Sequence, residues 1–91
     1  MLPVLSEYKF LGVKNVSPEV LGHVQANFGS IQYDLGTRLR GQEGKRFLNN
    51  AVECLDKALA IFDARKHPER HAEILSLRSM AVTELRSRSP R

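Results

Sequence analysis

A segment of this chain occurs twice, and the repetition constrains the fold more than any other feature. The first copy, SPEVLGHVQANFGS, begins at Ser17, and a degraded second copy, HPERHAEILSLRS, begins at His67. Each copy has Pro-Glu as its second and third residues and continues with apolar residues at helical spacing. Such self-similarity is typical of helical repeats, in which each unit exposes an apolar face that a neighbouring unit covers. The sequence therefore predicts an all-α fold.

The first copy predicts a helix with a well-defined start. Ser17 can accept a hydrogen bond from a free amide of the first turn, Pro18 suits the first helical position, and Glu19 faces the positive end of the dipole. The end of this helix is open between Gly36 and Gly41. Large apolar residues spaced by 3, 4, 3 and 4 predict one packing stripe, which consists of Leu21, Val24, Phe28, Ile31 and Leu35.

The second predicted helix, from Phe47 to Phe62, is strongly amphipathic. A second apolar line recurs every seven residues towards a different side, through Phe47, Cys54 and Ile61. A helix that is wet on half its circumference does not need such a line, so we expect this helix to be covered from two directions. Its neighbours are helices one and three, or a second copy of the chain. We expect a homodimer through helices two and three, with Phe47, Cys54 and Ile61 in the interface. The broad main face consists of Leu48, Ala51, Val52, Leu55, Ala58, Leu59 and Phe62.

The third predicted helix begins at Pro68, and a loop separates the first two. The stretch GTRLRGQEGKR, residues 36–46, has three glycines and four basic residues and is predicted to be the connection. The apolar positions of helix three are Ile74, Leu77, Ala81 and Leu85, with Leu75 and Val82 beside them.

The chain of 91 residues is long enough for one small domain, which we place at residues 1–85. Residues 1–16 fit either a short helix or an irregular arm. Residues 86–91, RSRSPR, have no apolar side chain and are expected to form a disordered basic tail.

The net charge of +4 comes mainly from this tail. Without its three arginines, eleven basic side chains oppose ten acidic ones, so the folded part is nearly neutral. No apolar run is long enough to span a bilayer, and the start lacks a signal-peptide pattern. The single cysteine favours a reducing compartment, so we expect a cytoplasmic protein without membrane contact.

The residues resemble the tetratricopeptide repeat (TPR) family, in particular a bacterial subclass with extended loops. The similarity lies in Asn27-Phe28-Gly29 and in AVECLDKAL, whose Ala51 and Ala58 match the small residues of the repeat's second helix. A glycine within a helix costs about 1 kcal/mol relative to alanine, which close approach of a partner helix would offset. We therefore expect Gly29 to face helix two. The resemblance implies an antiparallel, TPR-like bundle of three to four helices.

The resemblance also implies a non-catalytic protein–protein interaction module that binds a protein or peptide partner. In the family, the inner face of each first helix lines a groove that takes a peptide. The matching positions are His23, Asn27, Ser30, Tyr33 and Asp34, and less securely Glu73 and Met80 on helix three.

No motif for catalysis or for a cofactor stands out, and we expect neither an enzyme nor a metalloprotein. The pair His67 and His71 resembles a metal site, but Pro68 starts a helix between them, so helix-start chemistry explains it better. Cys54 lies among apolar neighbours and is expected to be buried and inert. The alternative function is nucleic-acid association through the basic loop and the Arg/Ser tail.

Overall fold

The computed structural model describes residues 17–88, and these residues form three α-helices of 21 residues each. The helices are α1 (Pro18–Arg38), α2 (Gly41–Ile61) and α3 (Pro68–Arg88). The described part of the chain has no strand, which confirms the predicted all-α class and the three main helices. The predicted arm at residues 1–16 and the last three residues lie outside the described range.

The starts of α1 and α3 agree with the Pro-Glu signals. At α1, the Ser17 Oγ accepts a hydrogen bond from the Val20 backbone N–H at 3.2 Å, and Pro18 is the first helical residue. The proline lacks the amide that the first turn would leave unpaired, so it fits this position at no cost. Pro68 begins α3 in the same way.

The connection between α1 and α2 is much shorter than predicted. Only Leu39 and Arg40 separate the two helices, and both have extended backbone conformations. Gly41 follows with a φ of +71°, a left-handed conformation that glycine adopts without a steric penalty. The prediction of a loop over residues 36–46 is therefore wrong: α2 begins at Gly41, six residues before Phe47.

The predicted boundary before the C-terminal tail is also wrong for residues 86–88, because α3 continues through Arg88. The Arg88 guanidinium donates hydrogen bonds to the carbonyls of Leu39, at 2.9 Å, and Thr37, at 3.3 Å. Its Nε donates to Glu84 Oε2 at 3.2 Å. The end of α3 is thus tied to the end of α1, where helix carbonyls have no partner within their own helix.

Helix α2 is the middle element, and α1 and α3 pack mainly against it rather than against each other. Its residues Leu48, Ala51, Leu55 and Ala58 are fully buried. The prediction of a central helix covered from two directions is confirmed, and the neighbours are α1 and α3. One core cluster joins all three helices through Ala26, Leu55, Ala58, Phe62 and Ile74.

The contact between α1 and α2 uses three glycines seven residues apart, which we call the glycine seam: Gly22, Gly29 and Gly36. All three are buried. A Cβ on Gly29 would lie 2.8 Å from Leu55 Cδ2, and one on Gly36 would lie 2.6 Å from Leu48 Cγ, so a side chain at either site would have to displace a buried leucine. The opposing residues, Leu48 and Leu55 of α2 and Phe62 at its C-cap, are also seven apart, in reverse order. The two helices therefore run in opposite directions.

The expected position of Gly29 is confirmed, since a methyl group in place of its hydrogen would lie 3.4 Å from the Ala51 carbonyl oxygen across the contact. The orientation expected for the rest of α1 is wrong. Because the glycine seam faces α2, the large apolar residues of the same helix turn outwards. The stripe predicted to pack inside, from Leu21 to Leu35, is exposed.

Candidate interaction surfaces

The largest exposed apolar residues of the described chain are concentrated on α1. We call them the apolar face of α1. Each side chain is between 40 and 56% exposed, a wide departure from the burial expected of such residues at helical spacing. Contiguous patches of this kind mark interaction sites in soluble proteins. The apolar face consists of Val20, Leu21, Val24, Phe28, Ile31 and Leu35.

The apolar face has the spacing of a helix-pairing seam. From Leu21 to Leu35 its residues alternate steps of three and four, the spacing of the a and d positions of a heptad repeat. Residues 20–33 include no Asp, Glu, Lys or Arg, so no charge interrupts it. Helix α1 thus has two seams on different sides: a small-residue seam filled by α2 and a large-residue seam open to solvent.

A groove between α1 and α3, with α2 as its floor, contains two of the five residues predicted to bind a peptide. Asn27 and Ser30 line it from α1, and Arg70 and Glu73 line it from α3. The floor and lower walls are apolar, and are formed by Ala26, Leu55, Ile74 and Leu77. Of the other predicted residues, His23 and Asp34 are exposed and Tyr33 is half-buried on the same side of α1. Met80 of α3 is exposed and does not line this groove.

Arg70 closes one end of the groove and links it to His23. Its guanidinium donates to Glu73 Oε1 at 3.0 Å and lies 3.3 Å from His23 Nδ1. The Arg70 guanidinium lies 5.8 Å from the centre of the Phe62 ring, and the centres of the His23 and Phe62 rings are 4.9 Å apart. This stacking holds a cation at the groove entrance over an aromatic face. Asp34, farther along α1, is paired with Arg38 at 3.4 Å.

The line predicted to form a dimer interface lies within the packed helices. Cys54 is buried, and Phe47 and Ile61 are half-buried. Ile61 packs beside Gly22 and against the core cluster. Burial raises the pKa of the Cys54 thiol, an effect that Lys57 opposes. The open apolar surface is therefore on α1 and not along this line.

The basic residues near the two connections between helices lie at two separate places. Arg40, Lys45 and Arg88 line a pocket at the junction of α1 and α2, where Glu84 contributes an opposing charge. Arg65 and Lys66 lie in the turn between α2 and α3, where both backbone N–H groups donate to Asp63 Oδ1, at 3.0 and 2.8 Å. The hydrogen bond from Lys66 is the main reason that the pKa of Asp63 is lowered. The two basic clusters do not form one surface.

The histidines that resembled a metal site have separate partners. His71 Nδ1 lies 2.8 Å from the Phe62 carbonyl, and His67 Nε2 lies 3.7 Å from Glu19 Oε2. Among residues 17–88, no group of three or more potential metal ligands converges.

Comparison with protein-family models, with curated proteins and with solved structures found no match. None of the helices between residues 17 and 88 has the length and apolar character that crossing a membrane requires.

The sequence also contains a pattern that predicts the packed side of α1, but the apolar stripe of the same helix is easier to recognise. Gly22, Gly29 and Gly36 have the same seven-residue period as the stripe, on a different side of the helix. Three small residues at this period indicate a close helix contact along the whole of α1, whereas Gly29 alone predicted it at one position.

Proposed function

We propose that this chain is a non-catalytic protein–protein interaction module of the TPR-like type. The observation that carries the proposal is the apolar face of α1, six large apolar side chains that stay 40 to 56% exposed on a helix already packed on its other side. Each half-exposed side chain can still gain on the order of 1 kcal/mol from burial by a partner. A partner helix would supply that burial.

The TPR-like arrangement is part of the proposal. It is supported by the glycine seam against α2, by the repeated Pro-Glu starts of α1 and α3, and by Ala51 and Ala58 in the α2 core. In such an arrangement, a first helix lies between the second helix of its own repeat and a neighbouring unit. The apolar face of α1 would be the side that meets the neighbour.

The groove between α1 and α3 is the second surface that we propose for a partner. His23, Asn27, Ser30, Tyr33 and Asp34 lie on one side of α1, and three of them lie beside Arg70 or within the groove. An apolar floor with a polar rim suits an extended peptide, since the floor supplies affinity and the rim fixes register.

A photocrosslinking experiment tests the proposed function. Benzoylphenylalanine in place of Phe28 puts a reactive ring on the apolar face, and the same residue in place of exposed Asn50 of α2 is the control. Irradiation in extract of the source cells is expected to give defined protein adducts from position 28 and none from position 50. Equal, diffuse adducts from both positions would contradict the proposal.

The alternative, nucleic-acid association, rests on the pocket that contains Arg40, Lys45 and Arg88. Arg88 already binds backbone carbonyls there, and Glu84 offsets part of the charge, so we favour the protein-binding function. Retention on DNA or RNA that falls steeply with salt and is weakened by Lys45→Ala would favour the alternative.

A further inference from the structure

We propose that the occupant of the apolar face of α1 is the same face of a second copy, with the two α1 helices antiparallel. This inference rests on the proposed function and names the partner. It assigns to α1 a place between two helices: α2 of its own chain, against the glycine seam, and α1 of the other chain, against the apolar face.

The spacing of the apolar face selects a helix as the occupant. Leu21, Phe28 and Leu35 stand at one heptad position, and Val24 and Ile31 at the other, which gives two heptads of seam. A partner helix needs an exposed seam of its own. Among the described helices, α1 has one of this length: the exposed faces of α2 are polar, and the exposed apolar residues of α3, Leu75 and Met80, point to different sides.

A symmetric pair also avoids repulsion between charged side chains along the apolar face. Because residues 20–33 include no Asp, Glu, Lys or Arg, the face can lie on its own copy without bringing such charges together. The charges lie at the ends of α1: Glu19 in the first turn faces His67 of its own chain, and Asp34 and Arg38 near the other end pair with each other. Antiparallel pairing places opposite ends of the two helix dipoles side by side, whereas parallel pairing places like ends together. A twofold pair is closed, so it stops at two chains.

The area sets the expected strength. Half-exposed leucine, isoleucine, valine and phenylalanine side chains offer roughly 50–100 Å² each, which gives on the order of 400 Å² per chain. Two such faces and their flanks approach the lower limit of stable interfaces, about 1,200 Å² in total. We therefore expect a dimer that forms reversibly in the micromolar range.

Sedimentation equilibrium of the purified full chain tests the pairing. Over a concentration series from about 1 to 500 μM, the mass is expected to rise from the 10.3 kDa of the chain towards twice that value. Ile31→Glu places a charge in the middle of the face and should weaken the dimer at least tenfold, and Phe28→Glu should do the same. Asn50→Glu adds the same charge to an exposed site of α2 and should leave the dimer unchanged.

Spin labels then test the orientation in a Cys54→Ala background. Labels at the exposed positions 19, 27 and 38 avoid the face itself. In an antiparallel pair, the two labels at position 27 lie at nearly the same height along the helix axis. The two labels at position 19, and the two at position 38, are about 25 Å farther apart along that axis. Similar distances at all three positions would overturn the antiparallel arrangement.

Two further outcomes would overturn the pairing itself. A mass of one chain at every concentration would do so, and so would a dimer that Ile31→Glu and Phe28→Glu leave intact. If the purified chain is a monomer while position 28 still gives adducts with other proteins, the self-pairing fails and the proposed function stands. If Ile31→Glu lowers the melting temperature of a monomer, the face is covered within the chain and the pairing fails as well.

Discussion

Replacing Gly29 with leucine would place a side chain where α1 and α2 are closest. A Cβ at this position would be 2.8 Å from both Cγ and Cδ2 of Leu55, a fully buried residue. Contacts this short force the buried Leu55 side chain to shift. Helix propensity favours the replacement by close to 1 kcal/mol, whereas overpacking typically costs about 1–3 kcal/mol. For a side chain of four carbons we expect the upper part of that cost, so the net loss is about 2 kcal/mol.

Urea unfolding followed by circular dichroism measures this loss, and a thermal melt should show a decrease of about 8–16 °C. Ser30→Leu makes a similar change one residue along, at an exposed site, and should change stability by less than about 0.5 kcal/mol. In a Leu55→Ala background, the cost of Gly29→Leu should shrink because the added side chain can occupy the vacated space. Equal stability of Gly29→Leu and the unmodified chain would refute the close contact.

Three other predictions concern the ends, the turn and the thiol. Arg88→Ala removes the hydrogen bonds to the two carbonyls at the end of α1 and should destabilise the fold by about 1–2 kcal/mol, measured by urea unfolding. The matched change at exposed Arg86 should have no effect, and equal effects would show that Arg88 does not dock. Because the pKa of Asp63 is lower in the folded chain, its contribution to stability is present above the unfolded pKa, about 3.9, and is lost as the pH falls through the folded value. Asp63→Asn should therefore lose less stability than the unmodified chain between pH 7 and pH 3, and identical losses would contradict the turn. Cys54, whose pKa is raised by burial, should react slowly with a thiol reagent at pH 7 and rapidly once urea is added, so a fast native reaction would show that it is accessible.

The sequence predicted the elements of this fold better than their orientation. Ser17 marks a helix start through a local hydrogen bond, and the two prolines do so because they lack an amide and have a fixed φ, so neighbouring residues suffice to predict these starts. The two apolar lines of α2 predicted a central helix, because a helix with one wet side has no use for both. These inferences depend on contacts within a few residues or on one helix alone.

The orientation of α1 depends on a competition between two seams of equal period. Large apolar side chains at steps of three and four predict the packed side, whereas Gly22, Gly29 and Gly36 allow a closer approach to α2 and its leucines. Hydrophobic spacing predicts that a face is buried, but it does not say by which chain. No helix of the described residues covers the apolar face. For that reason the sequence alone could not predict both which side of α1 lines the groove and which side is free to form a dimer.

Gly41 and Gly44, which follow the connection between α1 and α2, have different roles, and the number of glycines alone does not distinguish these roles. Gly41 has a positive φ and acts as a turn residue, in keeping with its usual meaning. Gly44 is buried, and a Cβ there would collide with the Leu39 carbonyl and with Arg88. It is a packing residue inside α2, so a loop predicted from the density of glycines extends too far.

Hydroxyl-radical footprinting of the full chain tests the central claim, that α1 turns its glycines inwards and its large apolar residues outwards to meet a partner. Phe28 is 52% exposed and Phe62 is 2% exposed, so two residues of one type report the two environments. At submicromolar concentration, Phe28 should be oxidised readily and Phe62 should be protected. As the concentration rises, Phe28 should become protected while Phe62 stays unchanged. Protection of Phe28 equal to that of Phe62 at every concentration would contradict the account, because the face would then be buried inside the single chain.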